Sequence, residues 1–359
     1  MKHNVPMSSA PHVADRILAW YHSHGRKNLP WQQDRTAYRV WVSEIMLQQT
    51  QVDTVIPYYQ RFMQRFPDVQ SLAEASQDDV LHYWSGLGYY ARGRNLHAAA
   101  QIIVNEYGGE LPTDIEQLNA LPGIGRSTAG AILAQAHGLR HPILDGNVKR
   151  VLARYHGVEG WPGQTAVQQQ LWAYAERHTP HQHLADYTQA IMDLGATLCR
   201  RRQPRCDDCP LVEDCEAFHT LRTDKLPTPK PRKTLPVKTV RMLVLIDEAQ
   251  QVLLEKRPPS GIWGGLWSLP EVPLEVDVAA HCRSRWQLQV TDMADDPVFR
   301  HTFSHYHLDI TPCRLRVKNP DQCVMEADAI VWYNSSQPEQ LGLATPVRSI
   351  LQNLSEGEL

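Results

Sequence analysis

The chain has 359 residues, enough for two domains of ordinary size. At 42% hydrophobic and 21% charged residues its profile is globular, and no apolar run is long enough to span a bilayer. A formal net charge of −3 lends no bulk support to nucleic-acid binding, so only local basic clusters can argue for it. Residues 1–12 lack the apolar core of a signal peptide and the arginine bias of a transit peptide. They read as a short tail, and the expected location is the cytoplasm, where seven cysteines argue against a disulfide framework.

In chain order, Val13, Ile17, Trp20 and Tyr21 recur at helical spacing, with Pro11 near the start, and Gly25 ends the run. Residues 26–35 form a polar loop containing Leu29-Pro30-Trp31. Helical patterns follow at 38–49, 51–65, 77–84, 91–107, 114–121, 126–137, 147–155, 165–178 and 183–198, and almost nothing there reads as strand. The expected first domain, residues 1–224, is therefore all-α with short loops. Residues 225–238, KLPTPKPRKTLPVK, are proline-rich and basic without acidic partners, and predict an extended linker. Residues 239–359 switch to strands at 239–246 and 251–255 around a turn at 247–250. A Gly/Pro/Trp-rich stretch, 258–270, precedes a helix at 279–286, strands at 299–302, 307–312 and 329–332, and a closing helix at 346–354. This second domain is α+β.

Leu121-Pro122-Gly123-Ile124-Gly125 is a tight turn between two helical runs. Its glycines open backbone angles closed to other residues and leave no side chain in the way. The following helix points bare N–H groups at the turn, a seat for one phosphate. Taken alone the pattern fits an ordinary helical hairpin equally well. Twenty residues past Gly125 comes Asp145 in an Asp-Gly turn, where it can also serve as the N-cap of the next helix. Lys149, Arg150 and Arg154 follow it, and Arg200, Arg201, Arg202 and Arg205 crowd together further on.

In WVSEIMLQQT and the residue after it, Glu44, Gln48 and Gln51 fall at i, i+4 and i+7 and are expected on one face. A carboxylate among apolar neighbours has a raised pKa and suits a general acid near neutral pH. Periodicity by itself favours a solvent-facing glutamate. Cys199, Cys206, Cys209 and Cys215, spaced C-x6-C-x2-C-x5-C, can wrap one metal centre, either zinc or an iron–sulfur cluster. Cys282, Cys313 and Cys323 are scattered and read as inert.

LPGIGRSTAG followed by LDGNVKR resembles the helix-hairpin-helix of the base-excision DNA glycosylases, in which the hairpin grips DNA backbone and the aspartate faces the sugar. VWVSEIMLQQTQV, WSGLGYYARGRNL and DYTQAIMDLG resemble segments of the adenine DNA glycosylases (the MutY type), and the likeness covers nearly the whole chain. It implies that Glu44 protonates the base, that Asp145 is the anion facing the cationic sugar, and that Asn147 orients the site. This is one acid kept protonated and one carboxylate kept ionised. It further implies that Gln48 and Gln49 probe the base pair, that Tyr89 wedges into the stack, that Gln189 lies in the base pocket, and that Leu121, Gly123, Gly125 and Ser127 belong to the DNA-gripping hairpin. The four cysteines then hold one [4Fe-4S] cluster in a loop, 199–215, whose arginines face phosphates. Reaching the target implies base flipping.

The lyase branch of the superfamily carries a lysine where this chain has Ser127, so the resemblance implies a monofunctional enzyme that leaves an abasic site. PPSGIWGGLWSLPEV resembles the centre of a Nudix hydrolase, with Gly265 and Glu271 at the opening spacing of that signature. The acidic cluster that would hold Mg²⁺ is replaced by AAHCRSR, implying a domain that reads and does not hydrolyse. Phe303-Ser304-His305 matches the loop sensing 8-oxoguanine opposite adenine, and alternation puts His301, Phe303 and His305 on one strand face. The expected substrate is duplex DNA with adenine opposite 8-oxoguanine or guanine, and the expected state is a monomer. The competing readings are a bifunctional pyrimidine-damage glycosylase/lyase, a mismatch-binding scaffold without catalysis, and a Nudix nucleotide hydrolase.

Overall fold

Side-chain caps decide where many of the helices begin. In the computed structural model, which describes residues 12–231, 234–318, 329–334 and 341–355, the first helices are α1 Val13–His24, α2 Ala37–Leu47, α3 Val52–Arg65, α4 Val69–Glu74, α5 Gln77–Trp84 and α6 Ala91–Tyr107. They are followed by α7 Ile115–Ala120, α8 Arg126–His137, α9 Gly146–Tyr155, α10 Thr165–His178, α11 Leu184–Asp193 and α12 Glu216–His219. Thr36, Ser76 and Asp114 accept from the free N–H groups at the starts of α2, α5 and α7. Most of the expected N-terminal tail, linker positions 232 and 233, and Cys323 lie outside the described residues. Among the described residues no helix is long and apolar enough to cross a membrane.

The chain divides into two compact units, Met1–Ala73 with Ala98–Arg232, and Glu74–His97 with Lys233–Leu359. In the first, α1, α9 and α11 close on a core of Ile17, Leu144, Val148, Leu152, Tyr187, Ile191 and Leu194. Helix α8 is buried from Thr128 to Gln135 and packs on both α2 and α11. A Cβ on Gly130 would stand 2.6 Å from the Pro142 carbonyl oxygen, so this glycine lets the segment leading to Asp145 run against α8. Residues 226–230, expected as open linker, are fastened to this unit. Arg154 Nε donates to the Leu226 carbonyl at 2.8 Å, Gly160 N–H donates to Thr228 Oγ1 at 3.1 Å, and Lys230 lies over the Trp161 ring.

The second unit carries a mixed sheet of β1 Val237–Ile246, β2 Val252–Lys256, β3 Trp267–Ser268, β4 Glu271–Val272, β5 Gln289–Asp295, β6 Phe299–Thr302, β7 His307–Lys318 and β8 Ile330–Tyr333. Its main path is β3-β2-β1-β7-β5; β4 pairs with β1, β6 with β7 and β8 with β2. Strand β1 is central and pairs in parallel with β7 from Val237↔His307 to Ile246↔Arg316. Its Met242, Leu243, Val244 and Leu245 are all fully buried, which explains an apolar run without alternation. Helix α13, Val278–Trp286, is capped by Asp277 and lays Val278, Cys282 and Trp286 on the sheet; α14 is Thr345–Ser355.

Several expectations change. The helix expected over 183–198 ends at Asp193 and continues as a π-helical stretch, Leu194–Leu198. A Cβ on Gly195 would lie 2.6 Å from Asn147 Cβ, so the wider turn rests directly on that residue. Helix α2 ends at Leu47, with Gln48 as its C-cap and Gln49 in a left-handed conformation, so Gln48 and Gln51 do not share a helical face with Glu44. Strand β5 was not anticipated; it is a polar edge strand whose register shifts between Val290 and Asp292, and neither feature leaves an alternating pattern. Helices α4 and α12 are too short to show a period.

Candidate active site

A cleft of ≈ 800 Å³ in the first unit is lined by Glu44 of α2, Gln48 and Gln49 of the turn after it, Ser127 of α8, Asp145 and Asn147 at the start of α9, and Gln189 of α11. Glu44 and Gln189, 145 positions apart in sequence, are thus brought to one place. Glu44 is only partly exposed at the cleft wall, and its Oε1 accepts a hydrogen bond of 3.3 Å from Gln135 Nε2. Burial pushes its carboxyl up to about 8, and the negative charge of Asp145 adds to the rise.

Asp145 is the N-cap of α9 as well as a cleft residue. Its Oδ1 accepts from Val148 N–H at 2.7 Å, and its Oδ2 accepts from Asn147 Nδ2 at 3.3 Å. Burial leaves its carboxyl raised as well, although those hydrogen bonds and the Arg150 guanidinium oppose the rise. Arg150 Nη2 donates to Asn147 Oδ1 at 2.8 Å and to the Gly195 carbonyl at 2.6 Å. Because a guanidinium only donates, it fixes the Asn147 amide with its amine toward Asp145. The two carboxyl groups are therefore supported unequally: Asp145 receives donors suited to an anion, and Glu44 receives one weak donor.

Ser127 Oγ accepts from Leu144 N–H at 2.9 Å, tying α8 to the residue before Asp145. Gln189 Nε2 donates to the buried carboxylate of Asp193 at 2.9 Å, and Arg26, a cleft residue, pairs with the same carboxylate. Sequence reasoning passed over Arg26, Gln135 and Asp193, and took Arg150 only as one of a basic cluster. Arg26 carries no motif signal. The available signal for Gln135 is a polar residue inside an apolar helix, and for Asp193 its i, i+4 spacing from Gln189.

Comparison with known proteins gives the family. Residues 42–177 match the model of the HhH-GPD superfamily base excision DNA repair proteins, and residues 241–353 match the NUDIX domain model. The adenine DNA glycosylase of Buchnera aphidicola subsp. Acyrthosiphon pisum is 39% identical over 340 residues, covering 95% of this chain and 97% of that protein. The adenine DNA glycosylase of Homo sapiens is 32% identical over 397 aligned positions, covering 94% of this chain and 72% of that protein. The chain belongs to the adenine DNA glycosylase family. Among solved structures, that of a thermostable thymine-DNA glycosylase matches with a TM-score of 0.53 at 25% identity, covering 58% of this chain and 95% of that one.

In this glycosylase the hairpin residues Leu121, Gly123 and Gly125 are not among those lining the cleft. Gly123 uses a positive φ of 78°, whereas Gly125 is extended and serves as the N-cap of α8 with open space where a Cβ would stand. Only Gly123 therefore needs glycine's conformational freedom. At Gly125 the absence of a side chain leaves the helix N-terminus bare.

Two non-glycine residues singled out by resemblance hold left-handed backbone, Gln49 at φ 58° and Tyr89 at φ 49°. Such strain persists only where the surroundings enforce it. Tyr89 belongs to the second unit and is 52% exposed, unusual for a tyrosine in a glycine-rich turn. In the same unit β6 ends at Thr302, so Phe303, Ser304 and His305 form a turn closed by Phe303 N–H to the Tyr306 carbonyl at 2.9 Å. The expected single strand face is thus a hairpin tip, because β6 must reverse into β7. Its rings still gather: Phe303 lies 4.7 Å from His301, 5.2 Å from Trp263 and 6.2 Å from His305 between ring centroids. Helix α13 has no acidic residue in its first turn, and Glu271 is engaged by Arg257.

Cys199, Cys206, Cys209 and Cys215 line one small cavity, with the buried Arg154 donating from Nη1 to Cys199 Sγ at 3.4 Å. Arg154 also donates to the carbonyls of Arg200 and Arg201, and Arg150 to that of Cys199. Burial, with the charge of neighbouring cysteines adding, pushes the Cys209 thiol up to about 12. Among the described residues no three His, Cys, Asp or Glu side chains converge as a single-ion site. Arg200 and Arg201 reach from this loop to the wall of the cleft.

Proposed function

We propose that the protein is a monofunctional adenine DNA glycosylase of base excision repair. It flips adenine out of pairs with 8-oxoguanine or guanine and hydrolyses the N-glycosidic bond, leaving an abasic site. The observation that carries this reading is the unequal pair of carboxyl groups in one cleft. Glu44, pushed up to about 8, is protonated at neutral pH and can give its proton to the leaving base. Asp145, supplied with donors from Val148, Asn147 and Arg150, is the anion that stabilises positive charge on the sugar. Asn147 holds that carboxylate's orientation, and Arg150 holds Asn147.

The other roles rest on placement. Gln48 and Gln49 meet the strand at the cleft rim, Gln189 meets the base, and the bare start of α8 behind Leu121, Gly123 and Gly125 takes a phosphate. Ser127 has no amine and its hydroxyl is already accepting from Leu144, which speaks against attack on the sugar carbon. Tyr89 wedges into the stack, and Phe303, Ser304 and His305 read the damaged base opposite. In domain terms, residues 1–224 cut, 225–238 follow the DNA and 239–359 recognise the opposite base.

Cys199, Cys206, Cys209 and Cys215 are the ligands of one [4Fe-4S] cluster. Four sulfurs around a shared cavity, carried on one compact C-x6-C-x2-C-x5-C loop and not on two separated C-x2-C knuckles, suit a multi-iron cube better than zinc. Bound there, the cluster supplies a structural cross-link. The chain's own contribution is to hold Arg200 and Arg201 toward phosphates. The protein acts as a cytoplasmic, DNA-associated monomer.

The test is single-turnover release of adenine from duplexes with adenine opposite 8-oxoguanine or guanine, analysed with and without hot alkali. Strand breaks appearing only after alkali are expected. Breaks without alkali would point to lyase chemistry, and no release by a cluster-loaded, DNA-binding preparation would leave a mismatch-binding scaffold.

A further inference from the structure

Asp193 is not among the residues that line the cleft, yet it faces two that do. Its carboxylate is fully buried, 0% exposed, and among the described residues it accepts from Arg26 and Gln189. Oδ2 accepts from the Arg26 backbone N–H at 2.8 Å. Oδ1 accepts from Arg26 Nε at 3.0 Å, Arg26 Nη2 at 2.6 Å and Gln189 Nε2 at 2.9 Å. A carboxylate has only acceptors, so this network has one direction.

That direction settles the facing of an amide that can otherwise sit either way round. With Oε1 turned toward Asp193, Gln189 would set oxygen against oxygen in a buried site. Its amine is therefore held inward, and its carbonyl oxygen is left as the acceptor offered to the cleft. Adenine carries a hydrogen-bond donor, the exocyclic amine, at the position where guanine and hypoxanthine carry an acceptor oxygen. We propose that Asp193, braced by Arg26, is a positioning residue for base identity: it locks Gln189 as an acceptor and so selects a 6-aminopurine over a 6-oxopurine. The inference rests on the adenine glycosylase reading and adds the group that enforces the choice of base. Such selectivity is strong where a buried acceptor would meet another acceptor.

The test compares single-turnover excision of adenine and of hypoxanthine, each opposite 8-oxoguanine, by the cluster-loaded wild type and by Asp193→Asn and Gln189→Leu. In Asp193→Asn the new side chain can donate as well as accept, so the Gln189 amide is free to reverse. The adenine-to-hypoxanthine rate ratio is expected to fall at least about tenfold in both variants, the scale of one hydrogen bond gained or lost in a buried site. The intrinsic lability of the two bonds cancels between proteins, and the ratio from one preparation does not depend on how much of it is folded. Gln189→Leu leaves the Asp193–Arg26 pair intact, so the proposal stays open to refutation should Asp193→Asn fold poorly. A ratio unchanged in Gln189→Leu overturns the proposal, and so does a ratio unchanged in folded Asp193→Asn. Failure of the wild type to release adenine at all would instead sink the glycosylase reading.

Discussion

Replacing Glu44 with glutamine should make the protein inactive and, above neutral pH, more stable. In the folded protein the Glu44 carboxyl is raised from 4.5 to about 8, chiefly by burial and then by Asp145. The unfolded chain ionises this group near its ordinary value, whereas the folded protein holds the proton until pH 8. The protonated carboxyl's contribution is therefore fully present below pH 4.5 and is lost progressively as pH rises from there through 8. The whole shift corresponds to about 5 kcal/mol. Glutamine is similar in shape and has no such titration. Urea denaturation of both proteins at pH 5, 7 and 9 should show the stability gap in favour of Glu44→Gln widening by several kcal/mol, most of it below pH 8.

Activity should move in parallel. A general acid with this pKa is ~90% protonated at pH 7 and ~10% at pH 9, so single-turnover adenine release should fall by roughly an order of magnitude across that span. Glu44→Gln should bind mispaired DNA and release no base. A stability gap that stays flat across pH, or a release rate that does not fall between pH 7 and 9, would refute the assignment of Glu44 as a buried acid.

Three further outcomes follow from the same contacts. Ser127→Ala strips the acceptor from Leu144 N–H and should lower stability by about 1–2 kcal/mol, checked by urea titration. Arg154→Met removes the donor to Leu226, Arg200, Arg201 and Cys199, and should destabilise by about 3 kcal/mol and loosen the cysteine loop, seen as faster amide exchange at Arg200 and Arg201. Tyr89→Gly relieves a left-handed backbone while deleting an exposed ring, so it should melt no earlier than the wild type yet bind mispaired duplex about tenfold more weakly, at the scale of one lost aromatic stack.

Much of the chemistry was written locally. Asp145 is both the motif aspartate and a cap, and the cysteine spacing already implied one shared centre. The periods of α3 and α10 reflect one apolar face packed inward in the first unit, and the unbroken apolar run of β1 reflects a strand of the second unit buried on both faces; each is visible in a short window. What escaped notice depends on distant partners. Arg26 earns its place only because α11 brings Asp193 beside it, 167 residues later. The end of α2 at Leu47 was hidden because LQQTQ has no helix-stopping residue; the break is imposed by Gln49 adopting a left-handed conformation. The π-helical stretch after Asp193 was equally silent, since what Gly195 rests against there is Asn147, on another helix.

The double duty of Asp145 bears on how damage to this gene product would present itself. Asparagine is as good a helix N-cap as aspartate, so an Asp145→Asn chain keeps the start of α9 and passes as a healthy protein through cellular quality control. With the roles proposed above, it would retain the hairpin, the arginines and the recognition loop and lack only the anion. On the proposed roles such a copy should not be merely absent from the repair pool: it should occupy lesions that a working copy would clear, so that in a mixed population the mutation rate is expected to track the ratio of the two forms.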